Sequence, residues 1–167
     1  MMDWLQQAEL QEQETVSVPN QYLTFAIDEQ SFGISISDVV EIISLCPIAR
    51  VPQFSGYAKG IINLRGRIIP VIDVRLRFHL PEKDYDSRTC IIITNINDLD
   101  IGFIVDEVQE VVDIDEADVE PAPKLTGSYA HRFIIGVGKR GGRMILLLDS
   151  QRLLNEEEVA ALDVVRM

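Results

Sequence analysis

Residues 60–78 read Gly60-Ile-Ile-Asn-Leu-Arg-Gly-Arg-Ile-Ile-Pro-Val-Ile-Asp-Val-Arg-Leu-Arg-Phe78. Two apolar runs, Ile61–Leu64 and Ile68–Val74, flank Arg65-Gly66-Arg67. That pattern predicts a β-hairpin in which glycine supplies the positive φ of the turn. Neither run alternates cleanly between apolar and polar, so both faces of these strands are expected to be buried. Two arginines stand at the turn, and Arg75 and Arg77 follow Asp73. An apolar hairpin that presents cations, with no nucleophile or metal ligand beside them, points to a surface for gripping another protein.

The rest of the chain has the same texture. Residues 1–19 are acidic and Gln-rich and read as a flexible tail. Tyr22–Ile27 and Ser31–Ser37 alternate as the two strands of a hairpin, turned by Asp28-Glu29-Gln30. Ser37–Ile43 reads as the start of a short helix capped by Ser37 or Asp38. Thr89–Ile96 and Ile101–Val108 pair around Asn97–Asp100, with Val111–Ile114 continuing the strand pattern. Phe133–Val137 and Met144–Leu148 form the last hairpin. Asn155 with Glu158 makes a capping box for a C-terminal helix, with Val159, Leu162 and Val165 on one face. Short strands joined by tight turns, with brief helices, predict an all-β architecture of small barrels. Two subdomains are expected, roughly 20–85 and 86–150, with strand exchange between them left open and a helical segment over 150–167.

Composition bounds the function. At 167 residues, 47% hydrophobic and 25% charged, the chain is an ordinary globular protein. About 70% of the unfolded surface is buried at this size. No apolar run approaches the roughly 20 residues of a spanning helix, and the N-terminus lacks the features of a secretion signal. Cys46 and Cys90 have no second Cys or His at metal-ligand spacing, which fits a reduced, cytoplasmic protein without a metal or cofactor. A net charge of −12 argues against nucleic acid as a partner. Charge is unevenly spread: ten acids and no Lys or Arg lie between Arg88 and Lys124, whereas Lys59–Arg77 carries five cations against Asp73 alone. Such asymmetry suits oriented docking onto partners of mixed charge.

Catalytic motifs fail in context. Gly136-Val-Gly138-Lys-Arg-Gly141 matches a dinucleotide-binding pattern, but a strand follows where that motif needs a helix. Asp113–Glu120 resembles a calcium loop without its sixth-position glycine or terminal Glu. Asp106 and Glu107 are strand neighbours and point to opposite faces. His79 and His131 stand in polar loops without a nucleophile, and Cys90 reads as a small buried hydrophobe. A small hydrolase built from Asp106 and a loop histidine is the one enzymatic alternative.

The ordered series Phe32-Gly33-Ile, Ile36, Val39, Glu41-Ile42, Val51-Pro52, Gly60, Asn63-Leu64-Arg65-Gly66 and Pro70-Val71-Ile72-Asp73-Val74-Arg75 resembles the CheW-like chemotaxis coupling domain. The likeness continues through Val105-Asp106, Val108, Pro121-Ala-Pro123, Met144–Asp149 and Leu153-Leu154, covering residues 20–165 or so. It implies two SH3-like five-stranded barrels packed together. It also implies a non-catalytic scaffold that links chemoreceptor cytoplasmic tips to the regulatory domain of a CheA-type histidine kinase, cytoplasmic and recruited to arrays at the inner membrane face. Only the coupling module is expected, without the fused receiver of the CheV type.

Residue by residue, Val39, Glu41 and Ile42 match a kinase-binding face, and Leu125 matches an apolar position at a second, ring-closing contact. Ile36, Ile68, Cys90 and Val108 match a groove between the barrels that takes the receptor's helical tip, a helix-in-groove mode. Arg65 matches the motif arginine beside that groove. Two readings stand for it: a receptor contact, or an internal ion pair with Asp73. Arg67 is expected to be solvated. Weak self-association in an array is a further implication, and the same scaffold serving a non-flagellar pathway is the alternative within the family.

Overall fold

β-Branched residues are frequent in the strands, and the strands in the middle of each sheet, such as Cys90–Ile96 and Leu99–Val105, are buried on both faces. The computed structural model describes residues 20–54, 56–121 and 132–163. The elements run β1 (Gln21–Ile27), β2 (Gln30–Ser35), β3 (Val39–Ser44), β4 (Ala58–Leu64), β5 (Arg67–Asp73), α1 (Val74–Arg77), β6 (Cys90–Ile96), β7 (Leu99–Val105), β8 (Glu107–Asp113), β9 (Val119–Glu120), β10 (Ile134–Arg140), β11 (Arg143–Leu148) and α2 (Glu156–Leu162). They form two sheets, of six strands ordered β8-β1-β2-β11-β10-β9 and of five ordered β3-β6-β7-β5-β4. The architecture is two small SH3-like subdomains with a C-terminal helix.

The sheets are not divided near residue 86. β1 and β2 join the last strands, and β3–β7 make the second sheet. Strands distant in sequence therefore pair, with β2 parallel to β11 and β5 parallel to β7. Local patterning carries no information about such pairings.

Period-2 alternation splits each central strand between two cores. Ile91 and Ile93 of β6 face the interior of the five-stranded sheet with Ile62, Ile69, Val71 and Ile104. Ile92 and Ile96 turn the other way, into a larger core shared with Phe25, Phe32, Phe78, Phe103 and Leu148. Ile145 and Leu147 of β11 close a third, small core with Val112 and Ile114. The large core joins the sheets, and through it runs a file of rings, Phe25, Phe32, Phe78 and Phe133, with centroids 5.9, 5.4 and 5.7 Å apart.

The Gly60–Phe78 hairpin forms as expected, turned by Arg65-Gly66 with φ of 52° and 86°, the two positive values of a type I′ turn. The Asn63 side-chain oxygen accepts from the Gly66 amide at 2.8 Å. The outer edge of β4 is covered by a bridge between Ala49 and Ile61. Gly60 makes that approach possible, because a Cβ there would lie 2.1 Å from the Ala49 carbonyl oxygen.

Several expectations are corrected. Ser37–Ile43 is not a helix: a single 3₁₀ turn, Ile36–Asp38, leads into β3, and Ser35 rather than Ser37 or Asp38 accepts the capping bond. Four β-branched residues in five positions, Val39, Val40, Ile42 and Ile43, favour the strand. The strand expected to run through Val108 breaks at Asp106, where the chain changes sheets. Arg75 and Arg77 are buried rather than displayed. Arg77 lies 4.8 Å from the ring centroids of Tyr57 and Phe133, and its Nε donates to the Leu153 carbonyl at 2.6 Å. The acid-rich segment after Arg88 is partly neutralised by distant cations, with Arg67 on Asp100, Arg75 on Asp106, Arg143 on Glu110 and Lys139 on Glu120. Arg67 is thus ion-paired, not simply solvated. The Asn155–Glu158 capping box is present at α2, whose buried face carries Val159 and Leu162.

Candidate interaction surface at the edge of the five-stranded sheet

Strand register decides which way each candidate side chain points. Val39 pairs with Thr94 and Ile42 with Ile92, so both share the face of β6 that turns toward the large core. Glu41 pairs with Ile93 and Ile43 with Ile91, on the opposite face. Between Val39 and Glu41 the register slips by one, and Val40 is the extra residue of the bulge. β3 is an edge strand, with Val40 51% and Ile42 41% exposed. Sequence reading passed over Val40, because a helix from Ser37 does not distinguish it. Reading Val39–Ser44 as a strand would have singled it out.

Cys90 pairs with Ser44, two positions along from the Ile42–Ile92 pair and on the same face. Its thiol donates to the Arg88 carbonyl at 3.4 Å. Val108 pairs with Phe25, a residue of the large core, in the six-stranded sheet. Ile36, Val39, Cys90 and Val108 are all partly buried and pack against that core from its margin. Ile36, Val39, Cys90 and Val108, which the family resemblance divides between two faces, thus all pack against the core that joins the sheets, and Ile42 shares the β6 face that turns toward it.

Ile68 is 42% exposed beside the β4–β5 turn. There it lines a surface cavity of ≈ 440 Å³ with Arg67, Asn95, Asp98, Leu99 and Asp100. The Arg67–Asp100 ion pair forms one wall, and the Asn95 amide donates to Asp100 at 2.9 Å. Leu125 lies outside the described residues.

Arg65 pairs with neither Asp73 nor any other buried carboxylate. Asp73 caps α1 and accepts from the Tyr85 hydroxyl at 2.7 Å. Arg65 instead donates through Nη2 to Glu41 Oε2 at 2.5 Å. The hydrogen bond from Arg65, reinforced by the charges of Arg65 and Arg67, holds the Glu41 carboxyl below its ordinary value. This pair ties the β4–β5 turn to β3, the two edges of the five-stranded sheet.

The surface has the features of a binding face. The Asp106 carboxylate is held by Arg75, His131 lies outside the described residues, and no cluster of metal-ligating side chains occurs among the described residues. Exposed aliphatic side chains on a strand edge, flanked by an ion pair, are the ingredients of an oriented protein contact. No helix among the described residues is long and apolar enough to cross a membrane.

Comparison with known proteins agrees. A family model described as the CheW-like domain matches residues 21–158. The chemotaxis protein CheW of Klebsiella aerogenes is 34% identical over 149 residues, covering 89% of this chain and 90% of that protein. Its counterpart in Bacillus subtilis is 33% identical over 135 residues, covering 81% and 86% respectively. The crystal structure of the scaffolding protein TtCheW from Thermoanaerobacter tengcongensis superposes with a TM-score of 0.76 at 35% identity, covering 83% of this chain and 96% of that one. Two sheets sharing one core, exposed aliphatic side chains on an edge strand and these likenesses converge: the chain belongs to the CheW-like family of chemotaxis scaffold proteins.

Proposed function

We propose that this chain couples the cytoplasmic tips of chemoreceptors to the regulatory domain of a CheA-type histidine kinase, working in the cytoplasm at the inner face of the membrane. The observation that carries this reading is the seam between the sheets. On one side it offers Val40 and Ile42, exposed on an edge strand. Beside them Ile36, Cys90 and Val108 line the margin of the shared core, where an amphipathic helix can seat its apolar ridge. Arg65 and Glu41 add a charged pair whose members can each turn to a partner group. Leu125 and Ile68 are assigned to the same two partners on family likeness, Leu125 to the kinase and Ile68 to the receptor.

Single contacts of this kind are weak, about micromolar or roughly −8 kcal/mol, and repetition in an array supplies avidity. The test is calorimetric titration of the purified chain with a CheA-type regulatory domain and, separately, with a receptor-tip fragment. Ile42→Asp places a charge at an exposed position, so the fold survives while kinase binding weakens by tenfold or more. Undiminished kinase binding would remove β3 from the interface.

A further inference from the structure

The chain passes between the two sheets twice, at Ile36–Asp38 between β2 and β3 and at Asp106 between β7 and β8. The second joint is a single residue. The large apolar core holds the sheets against one another, but apolar burial is non-directional. Directional bonds are needed to fix an angle, and both joints carry them, alongside those of Arg77 to Leu153 and Glu158 and of Gln151 to Asn95.

Arg75, in α1 directly after β5, is 6% exposed. Its Nη1 donates to Asp106 Oδ2 at 2.9 Å and also to Asp28 Oδ1, and its Nε donates to the Pro81 carbonyl at 3.1 Å. Asp28 belongs to the β1–β2 turn of the six-stranded sheet, and its backbone amide donates to the same Asp106 oxygen at 2.8 Å. One guanidinium from the five-stranded side therefore grips both the joint and a hairpin of the other sheet. The first joint is held similarly: the hydroxyl of fully buried Ser150 donates to Asp38 Oδ2 at 3.0 Å.

We propose that Arg75 is a positioning residue that sets the angle between the two sheets by pinning the Asp106 joint. The consequence rests on the coupling function proposed above. Ile36 lies in the first joint and Val39 follows it, while Val108 stands two residues beyond the second. A change of angle at the joints opens or narrows the seam these residues line. Nη1 holds both carboxylates while the Nε bond to the Pro81 carbonyl fixes the plane of the guanidinium, a constraint that a flexible ammonium lacks.

The experiment is measurement of amide residual dipolar couplings on the isotope-labelled full chain, comparing the native protein with Arg75→Lys and Arg75→Met. In the native protein one alignment frame fits both sheets. In Arg75→Met each sheet still fits internally, but the two require separate frames, and Arg75→Lys falls between. A purely local structural role would lower stability and leave the frames coincident. That result in folded Arg75→Met, with the native orientation kept, overturns the proposal. If Arg75→Met does not fold, Asp106→Ala carries the test, because it removes the carboxylate that Arg75 pins at the joint while leaving the guanidinium its bond to Asp28. Separate frames then support the pin, and a single native frame overturns it. No partner is present in these measurements. Failure of a receptor-tip fragment to bind would count against the coupling function and leave the angular result standing.

Discussion

Arg65 Nη2 and Glu41 Oε2 lie 2.5 Å apart although the residues are separated by 24 positions in the chain. Arg65 reaches Glu41 from a left-handed turn position, φ 52°, that few residues other than glycine, Asn or Asp adopt. The backbone thus accepts an uncommon conformation at the residue that joins the β4–β5 turn to β3. The arginine also stands close to the exposed aliphatics of β3, so its pairing and any partner's carboxylate compete for one fork.

The Glu41 carboxyl is expected to titrate below 4.5, its ordinary value, and to return toward it in Arg65→Ala. Carboxyl carbon shifts followed by NMR between pH 2 and 6 or so make the check. Because the folded value is depressed, the pair's contribution to stability is present above the unfolded value and lost as pH falls through the folded one. Both side chains are solvent-accessible, so the contribution is small and fades with added salt. A Glu41 carboxyl unmoved by Arg65→Ala would show that the pair does not persist in solution.

Gly102 of β7 sits where three strands of the five-stranded sheet converge. A Cβ there would lie 2.7 Å from Ile91 Cγ2 and 2.8 Å from Val71 Cγ1, both in the interior core. Gly102→Ala is expected to destabilise by about 1–3 kcal/mol through overpacking. The denaturation midpoint should fall with little change in slope. Gly102→Ala combined with Ile91→Ala should cost less than the sum of the two single changes, since the crowding Cγ2 methyl belongs to Ile91.

Much of this fold is legible in the sequence wherever neighbours in the chain are neighbours in space. The apolar runs around Arg65-Gly66 announce a hairpin, of which β5 is buried on both faces while β4 leaves Asn63 exposed, and Asn155 with Glu158 announces the start of α2. The grouping of strands is not legible, because nothing near Ser31 or Phe32 indicates that Ile145 and Leu146 will lie alongside. Arg75 and Arg77 misled for a related reason: their ion-pair partners, Asp28, Asp106 and Glu158, are 31 to 81 residues away. For the interaction surface, family likeness singles out Ile36, Val39, Ile42, Cys90 and Val108. Only the register of β3 on β6 shows that Val39, Ile42 and Cys90 share a face, and that Glu41 does not.

Tyr85 is expected to stay protonated well above the range in which free phenols ionise. Burial is the main cause, followed by its hydrogen bond to the Asp73 carboxylate and the negative charges of Asp73 and Glu82. Its folded value lies above the unfolded one, near 10. The stability it contributes is therefore complete below that pH and declines as pH rises past it. Tyr85→Phe leaves an oxygen of Asp73, which is 1% exposed, without its phenol donor. Loss of about 1–3 kcal/mol is expected at neutral pH. Phenolate absorbance during alkaline titration should show both Tyr85 and Tyr22, which burial also raises, ionising later in the native protein than in the unfolded one, and Tyr85→Phe should remove the later of the two.

Arg77 fastens α2 to the rest of the molecule by geometry that lysine cannot copy. Its guanidinium lies 4.8 Å from two ring centroids, Tyr57 and Phe133, while Nε reaches the Leu153 carbonyl and Nη2 reaches Glu158 at 3.2 Å. Glu158 is also the N3 residue of the capping box, so the arginine holds the first turn of the helix by a group that helps to start it. Lysine keeps the charge but loses the planar fork and the stacking on both rings, a loss of about 2 kcal/mol. Hydrogen exchange in α2 should accelerate more than exchange in β6, because the helix is tethered while β6 lies inside both cores. Equal acceleration in α2 and β6 would mean that the helix opens only with the whole protein, and the tether assigned to Arg77 would be excluded.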